Sequence, residues 1–463
     1  MNKKVIIIGG GIAGLSAACL ALQRGFHVEL YEQNNNLGGD SHFTTIEGFS
    51  FDINPKFYPA PYLFDSLIRT NEKSSMLSEL FSQAIPTAQV LFADEKMMRL
   101  VSDVEVSDLP ESIATITPLT GDGAYHKLDG VLQEILDRFS GKRLPIWQQL
   151  SKNRKGNLQQ MLLPMIGDFS SDPYFQQCLV AIAAISGIPV PNLQIRDLFM
   201  PALVRRSGLS LPTHGMKSVI DVLETYINNA KAKIFTSTQV DEILSQNNNV
   251  CGIRLADQSQ QWADYVLNTS SSLAPEALQV HLAQPAMVLH LGISNKELLK
   301  DFQLQNILIL NNNFRKWDTQ STISHRWLPD YIYLQQPTLI NPSLAPQNCG
   351  LLSIRFSIPQ ITLDYREKEI IRNNLLSFLE QHYIPDLKQN IRMESIHMLS
   401  DQYTQDDRTR QPTIRSEMQT PAFLLQKNTH IAHLHQYYEN RRPIVPIILF
   451  ATQQWIETIA DKS

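Results

Sequence analysis

At 463 residues the chain is too long for one compact unit, and its size predicts two or three domains. A composition of 43% apolar and 18% charged residues is that of a soluble globular protein with a sizeable core, and a net charge of −5 gives no electrostatic case for a nucleic-acid partner. Cys19, Cys178, Cys251 and Cys349 stand far apart with no CxxC pair, which argues against a structural zinc or disulfide framework and suits a reducing cytoplasm.

Lys3 and Lys4 precede an apolar stretch over residues 5–22 that has the outline of a signal peptide. Gly9, Gly10, Gly11 and Gly14 interrupt it; they would break a signal helix but are what a phosphate-binding turn requires. Residues 5–8 are therefore read as a buried parallel strand, Ile12–Gln23 as a helix ended by Gly25, and residues 28–31 as a second strand. Between about 70 and 210, helical patterns at 128–139 and 175–185 alternate with breaks at Pro145, Pro164, Pro189 and Pro191. A helix at 215–228 and strands at 233–236, 250–255 and 265–267 follow, with a polar turn at 246–249. From Met287 to about Pro412 a second block of strands and helices is expected, its clearest helix at 365–383. No segment reaches the ~18 uninterrupted apolar residues of a spanning helix. Residues 178–193 and 444–456 come nearest and are broken by Gly, Pro or Gln, which leaves open only a peripheral contact with a membrane surface.

Gly9-Gly10-Gly11-Ile12-Ala13-Gly14 is a G-x-G-x-x-G directly after a strand and at the head of a helix. The first glycine makes the turn, the second admits a pyrophosphate to the backbone, and the third lets helix and strand pack closely. The helix start, with Ala13 in its first turn, offers unpaired N–H groups and partial positive charge. Glu32 closes the second strand, where a carboxylate accepts hydrogen bonds from ribose hydroxyls and repels a 2′-phosphate.

After Glu32 come Leu37-Gly38-Gly39-Asp40 and Gly48-Phe49-Ser50-Phe51-Asp52. Further on stand Leu211-Pro212-Thr213-His214-Gly215-Met216, Thr238-Gln239-Val240, Ala263-Asp264-Tyr265-Val266-Leu267-Asn268, and Pro337-Thr338 with Pro342-Ser343-Leu344-Ala345-Pro346. In this order the segments resemble FAD enzymes of the amine-oxidase superfamily, and the last places the resemblance in its phytoene-desaturase branch. The resemblance implies an α/β fold: a Rossmann-type, glutathione-reductase-like FAD-binding domain with an interleaved α+β substrate domain. It implies an FAD part from residues 1–70, 211–275 and 415–463, and a substrate part from 71–210 and 276–414. Besides Gly9, Gly11, Ala13, Gly14 and Glu32, it assigns Gly38, Gly39 and the Val240 backbone to the cofactor. It names no catalytic residue, and no metal is expected.

Four departures stand out. Asp40 occupies the Arg position of Gly-Gly-Arg, Asn54 replaces a Gly before Pro55, and Lys56 replaces a small hydroxyl residue. The family's Gly-rich C-terminal segment, which meets the flavin edge, becomes Gln436-Tyr437-Tyr438-Glu439-Asn440-Arg441-Arg442-Pro443, between the strand at 431–435 and a closing helix at 447–459. A glycine-free loop does not easily bring its backbone against a ring. Either Arg441 or Arg442 supplies side-chain charge instead, or FAD binding is weakened. His290 is expected as a hydrogen-bonded core residue. His433 and His435 share one face of a strand without a third ligand, and Asp401, Asp406 and Asp407 form a solvated run.

Three functions follow. The leading one is an FAD-dependent dehydrogenase or desaturase of an apolar or conjugated small molecule, a carotenoid-like polyene being the family's typical substrate. The others are an oxidase of an amine or carrier-bound intermediate, and a flavin-poor subunit that serves a protein partner.

Overall fold

The computed structural model describes residues 3–39, 41–55, 58–68, 77–83, 88–100, 160–185, 190–246, 249–270, 286–299, 305–311, 323–359 and 363–398, with isolated positions elsewhere that include Ile431–His433. Its longer helices are α1 (Ile12–Gln23), α2 (Pro173–Ala184), α3 (Phe199–Ser207), α4 (Met216–Asn229) and α5 (Tyr365–His382). The sequence-derived boundaries of α1, α2, α4 and α5 fall within two residues of these. The helix expected at 128–139 lies largely outside the described residues.

Five parallel strands form the first sheet, ordered β19 (Ile431–His433), β13 (Tyr265–Asn268), β1 (Lys4–Ile8), β2 (His27–Tyr31) and β9 (Lys233–Phe235). Its strands thus come from both ends and the middle of the chain. The β-branched run of β1 is buried on both sides, as a central parallel strand must be. Val5 and Ile7 point to a core shared with α1 and α4, which includes Leu15, Ala18, Val219, Ile220 and Leu223. Ile6 and Ile8 point the other way, onto the antiparallel meander β10 (Val240–Gln246), β11 (Asn249–Leu255) and β12 (Gln260–Trp262).

The second large sheet has seven strands, ordered β18 (Ile391–Met398), β14 (Ala286–Ile293), β17 (Gly350–Ser357), β16 (Tyr331–Gln335), β15 (Asn306–Leu310), β6 (Ala88–Leu91) and β7 (Met97–Leu100). All pairings are antiparallel except β15 with β6. Alternation divides its faces. Leu289, Leu291, Ile332, Leu334 and Ile354 bury against Ile371, Leu375 and Leu379 of α5, a helix begun by a reciprocal Asp364–Glu367 capping box. From the opposite face Val90, Leu308, Tyr331 and Tyr333 meet the apolar residues of α2 and α3. Two antiparallel pairs complete the fold: the hairpin β3 (Phe43–Ile46) with β4 (Phe49–Asp52), and the long-range pair β5 (Phe81–Gln83) with β8 (Ser210–Pro212). No described helix is long and apolar enough to cross a membrane.

Candidate dinucleotide site

The turn between β1 and α1 is held open by glycines, each for a different reason. Gly9 sits at φ 101°, donates its N–H to Tyr31 O at 2.8 Å, and would bring a Cβ to 2.7 Å from Thr269 Oγ1. A Cβ on Gly10 would lie 2.6 Å from Leu37 Cδ2, and one on Gly14 only 1.8 Å from the Gly9 carbonyl oxygen. Gly14 is thus what allows α1 to rest on the end of β1. Gly11 differs. It has φ −73° and ψ −179°, open to any residue, and its nearest obstacle is Gly39 Cα at 3.8 Å. Within the described polypeptide nothing demands glycine at 11. The space a side chain would fill lies at the N-terminus of a 12-residue helix without a side-chain cap, beside the first turn that contains half-buried Ala13.

Glu32 follows β2 and is 5% exposed. Its Oε2 accepts the Gly10 N–H at 2.7 Å; its Oε1 accepts the backbone and side-chain N–H groups of Asn34, both at 2.8 Å. A carboxylate has about four lone-pair sites, so one remains for a hydroxyl donor. Sequence reasoning assigned Glu32 to a ribose and missed this second task as a strut under the glycine turn. The Glu32 backbone also binds Phe235 O and Thr238 N at 2.8 Å, and Ser237 N reaches Asn34 O at 2.8 Å. Those bonds bring the start of β10, and with it Val240 opposite Leu255, to the corner that Glu32 occupies.

Gly38 and Gly39 stand against the same turn. Their φ angles are 113° and 59°; Gly38 N donates to Gly10 O at 2.8 Å, and a Cβ on Gly39 would lie 3.1 Å from Gly11 Cα. Structure therefore gathers Gly9, Gly11, Ala13, Gly14, Glu32, Gly38 and Gly39 into one cradle, with Val240 reached through Thr238. Beyond it the hairpin β3–β4 turns the chain back, and both oxygens of Asp52 accept the Met216 N–H at 3.0 and 3.2 Å, capping α4. Asp40, Lys56, His435, residues 436–443 with Arg441 and Arg442, and the run containing Asp401, Asp406 and Asp407 lie outside the described residues. Asn54 is described and buried. The strand expected before the C-terminal loop is present as β19, parallel to β13.

His290 is the buried core histidine that the sequence predicts. Its Nδ1 lies 2.9 Å from Ser353 Oγ, and its Nε2 lies 3.2 Å from the Ile53 carbonyl. Burial pushes its pKa from 6.5 down to about 3; the Ile53 carbonyl opposes that shift and the nearby His397 adds to it. The unfolded chain takes up a proton at this ring below 6.5 and the folded chain does not until about 3. The ring's full contribution to stability is therefore present above the higher value and is lost as pH falls between the two. At about pH 5 the loss is about 2 kcal/mol. Urea unfolding of native and His290→Gln protein at neutral and acidic pH should show a shallower decline in the variant; parallel declines would assign the acid sensitivity elsewhere.

A family described as an NAD(P)-binding Rossmann-like domain matches residues 7–68. The chain is 24% identical over 437 residues to 4,4'-diaponeurosporene oxygenase of Staphylococcus aureus, a match that covers 86% of this chain and 84% of that protein. It is 26% identical over 432 residues to 4,4'-diapolycopene oxygenase of a Methylomonas species, covering 85% of this chain and 84% of the relative. A solved structure of a putrescine oxidase variant superposes with a TM-score of 0.60 at 12% identity, covering 100% of each chain. The resemblance to the phytoene-desaturase branch and the amine-oxidase-type fold read from the sequence are both borne out.

Proposed function

We propose, from its likeness to proteins named as oxygenases of diaponeurosporene and diapolycopene, that this chain is an FAD-dependent oxidoreductase of a carotenoid-like, apolar polyene. The narrower reading, a dehydrogenase that forms C=C bonds, rests on the resemblance of its motifs to the phytoene-desaturase branch. One observation carries the cofactor part: Gly11, a glycine with an unstrained backbone at the head of α1, whose Cβ would meet no atom of the described residues nearer than Gly39 Cα at 3.8 Å. A pyrophosphate accounts for that glycine, since phosphate oxygens would occupy the same space and take the N–H groups of the first helical turn, at Ile12 and Ala13.

The other residues of the cradle fit the group. Glu32 would accept a ribose hydroxyl with its remaining lone pair, Gly38 and Gly39 would let the chain pass close to the phosphates, and the Val240 backbone would meet the adenine. When bound, FAD supplies the hydride acceptor. The chain's own contribution is to orient the cofactor, to hold the apolar substrate against it and to exclude water. In this reading residues 1–70, 211–275 and 415–463 hold the cofactor and residues 71–210 and 276–414 hold the substrate. The protein works in the cytoplasm and collects its substrate at a membrane surface, where a polyene resides.

An absorbance scan of the purified protein, repeated after incubation with FAD and desalting, tests the cofactor. A visible flavin band at near one equivalent is expected; none in either sample removes the FAD reading and leaves the flavin-poor partner subunit. The substrate is tested with flavin-loaded protein on a conjugated polyene carried in lipid vesicles and on small charged amines. Polyene turnover that rises with vesicles is expected, and turnover of amines alone would favour the oxidase.

A further inference from the structure

We propose that His290 is a positioning residue for the dinucleotide site: from β14 it holds the Ile53 carbonyl and so fixes the β3–β4 hairpin at whose root Gly38 and Gly39 meet the glycine turn. This rests on the cofactor reading above.

The hairpin is seated on the sheet by alternate residues of one strand. Phe49 lies over Gly292, where a Cβ would come within 2.6 Å of its ring. Phe51 stacks on the His290 ring, with centroids 4.1 Å apart and planes 23° from parallel. Ile53, next in the alternation, presents its carbonyl to His290 Nε2. On the other side of β4, Asp52 caps α4 through Met216 N. The strand is therefore fixed on both faces, and His290 supplies the directional bond on one of them.

A carbonyl only accepts, so His290 Nε2 carries the proton and Nδ1 accepts from the Ser353 hydroxyl. The Ile53 carbonyl thereby sets the tautomer, and the Ser353 hydroxyl turns to suit it. From Ile53 the bonds continue inward: Ile53 N donates to His42 O at 2.7 Å, Ser41 N to Gly38 O at 3.1 Å, and Gly38 N to Gly10 O at 2.8 Å. The second sheet thus reaches the glycine turn through a short run of main-chain bonds, and His290 is their anchor in β14. A purely apolar residue there could fill the space beneath Phe51 but could not hold the carbonyl.

Three variants separate anchoring from general stability. His290→Leu removes the donor, His290→Gln restores one at the Nε2 position, and Val288→Ala loosens the same strand and face without touching Ile53. Two measurements are made on each: the dissociation constant for FAD by titration of apo protein, and amide hydrogen exchange of apo protein in peptides that contain Ile53 and Met216. His290→Leu should weaken FAD roughly tenfold and speed exchange in both peptides, as loss of a supporting partner does. His290→Gln should recover most of both effects, and Val288→Ala should show neither at a comparable fall in Tm. Native affinity and exchange in His290→Leu, or equal effects in Val288→Ala, would overturn the proposal. If native protein takes up no FAD, the cofactor reading fails and the exchange of Ile53 and Met216 decides the anchoring role alone.

Discussion

Gly11→Ala is expected to fold as stably as the native chain and to take up almost no FAD. Its backbone, at φ −73°, suits alanine, so the loss of glycine's unfolded-state freedom favours the variant by about 0.4–1 kcal/mol. Against this, Gly11 is the N-cap of α1, where alanine is poorer than glycine by a similar amount. The two terms nearly cancel, and the new methyl group meets nothing nearer than Gly39 Cα at 3.8 Å. Any bound pyrophosphate would meet it directly. Overpacking of about 3 kcal/mol there weakens FAD roughly 100-fold. Gly14→Ala makes the contrast: its Cβ would overlap the Gly9 carbonyl oxygen at 1.8 Å, so the variant should lose stability in the absence of any ligand. Thermal denaturation of apo protein and an FAD titration, run on both variants, give the two readouts. Native FAD affinity in Gly11→Ala would mean that the cofactor does not approach this turn.

How far the sequence could be read follows the span of each interaction. The β1–α1–β2 unit was legible because strand, turn and helix signals lie within 30 residues of each other and agree. The seven-stranded sheet was visible only as a block of strands, since its order brings residues 88–91 beside 306–310 across a long stretch of intervening chain. The β3–β4 hairpin stands in the sequence as a family-like segment with no strand expected in it, although its turn is locally encoded. Glu47 and Gly48 have φ of 51° and 83°, the pair of positive angles that a two-residue hairpin of matching twist requires. The Asp52 cap on Met216 spans 164 residues, and no local pattern announces it. His290 was read correctly as a satisfied core histidine, because a polar ring amid apolar strand residues has few other fates. Its partner Ile53, 237 residues away, was not accessible to that reasoning.

Glu32 should prove indispensable in two separable ways, and glutamine should replace it no better than alanine. Each carboxylate oxygen faces a backbone donor, Oε2 the Gly10 N–H and Oε1 the Asn34 N–H. Whichever way a glutamine amide is turned, its NH2 group confronts one of those donors and leaves it unsatisfied in a site where residue 32 is 5% exposed. A buried donor without a partner costs about 1–3 kcal/mol, so both Glu32→Gln and Glu32→Ala should unfold several degrees below native protein before any ligand is added. The second role appears only with FAD. A charge-assisted bond to a ribose hydroxyl is worth about 1.5–3 kcal/mol, so the variants should also bind FAD roughly 10- to 100-fold more weakly. Ligand raises stability by RT ln(1 + [L]/Kd), about 2.7 kcal/mol at 100 times Kd. At one fixed FAD concentration the rise in Tm should therefore be clearly smaller in the variants than in native protein. An equal rise would confine Glu32 to its strut beneath Gly10, whereas unchanged stability without FAD would deny the strut and leave the ribose contact to explain the residue.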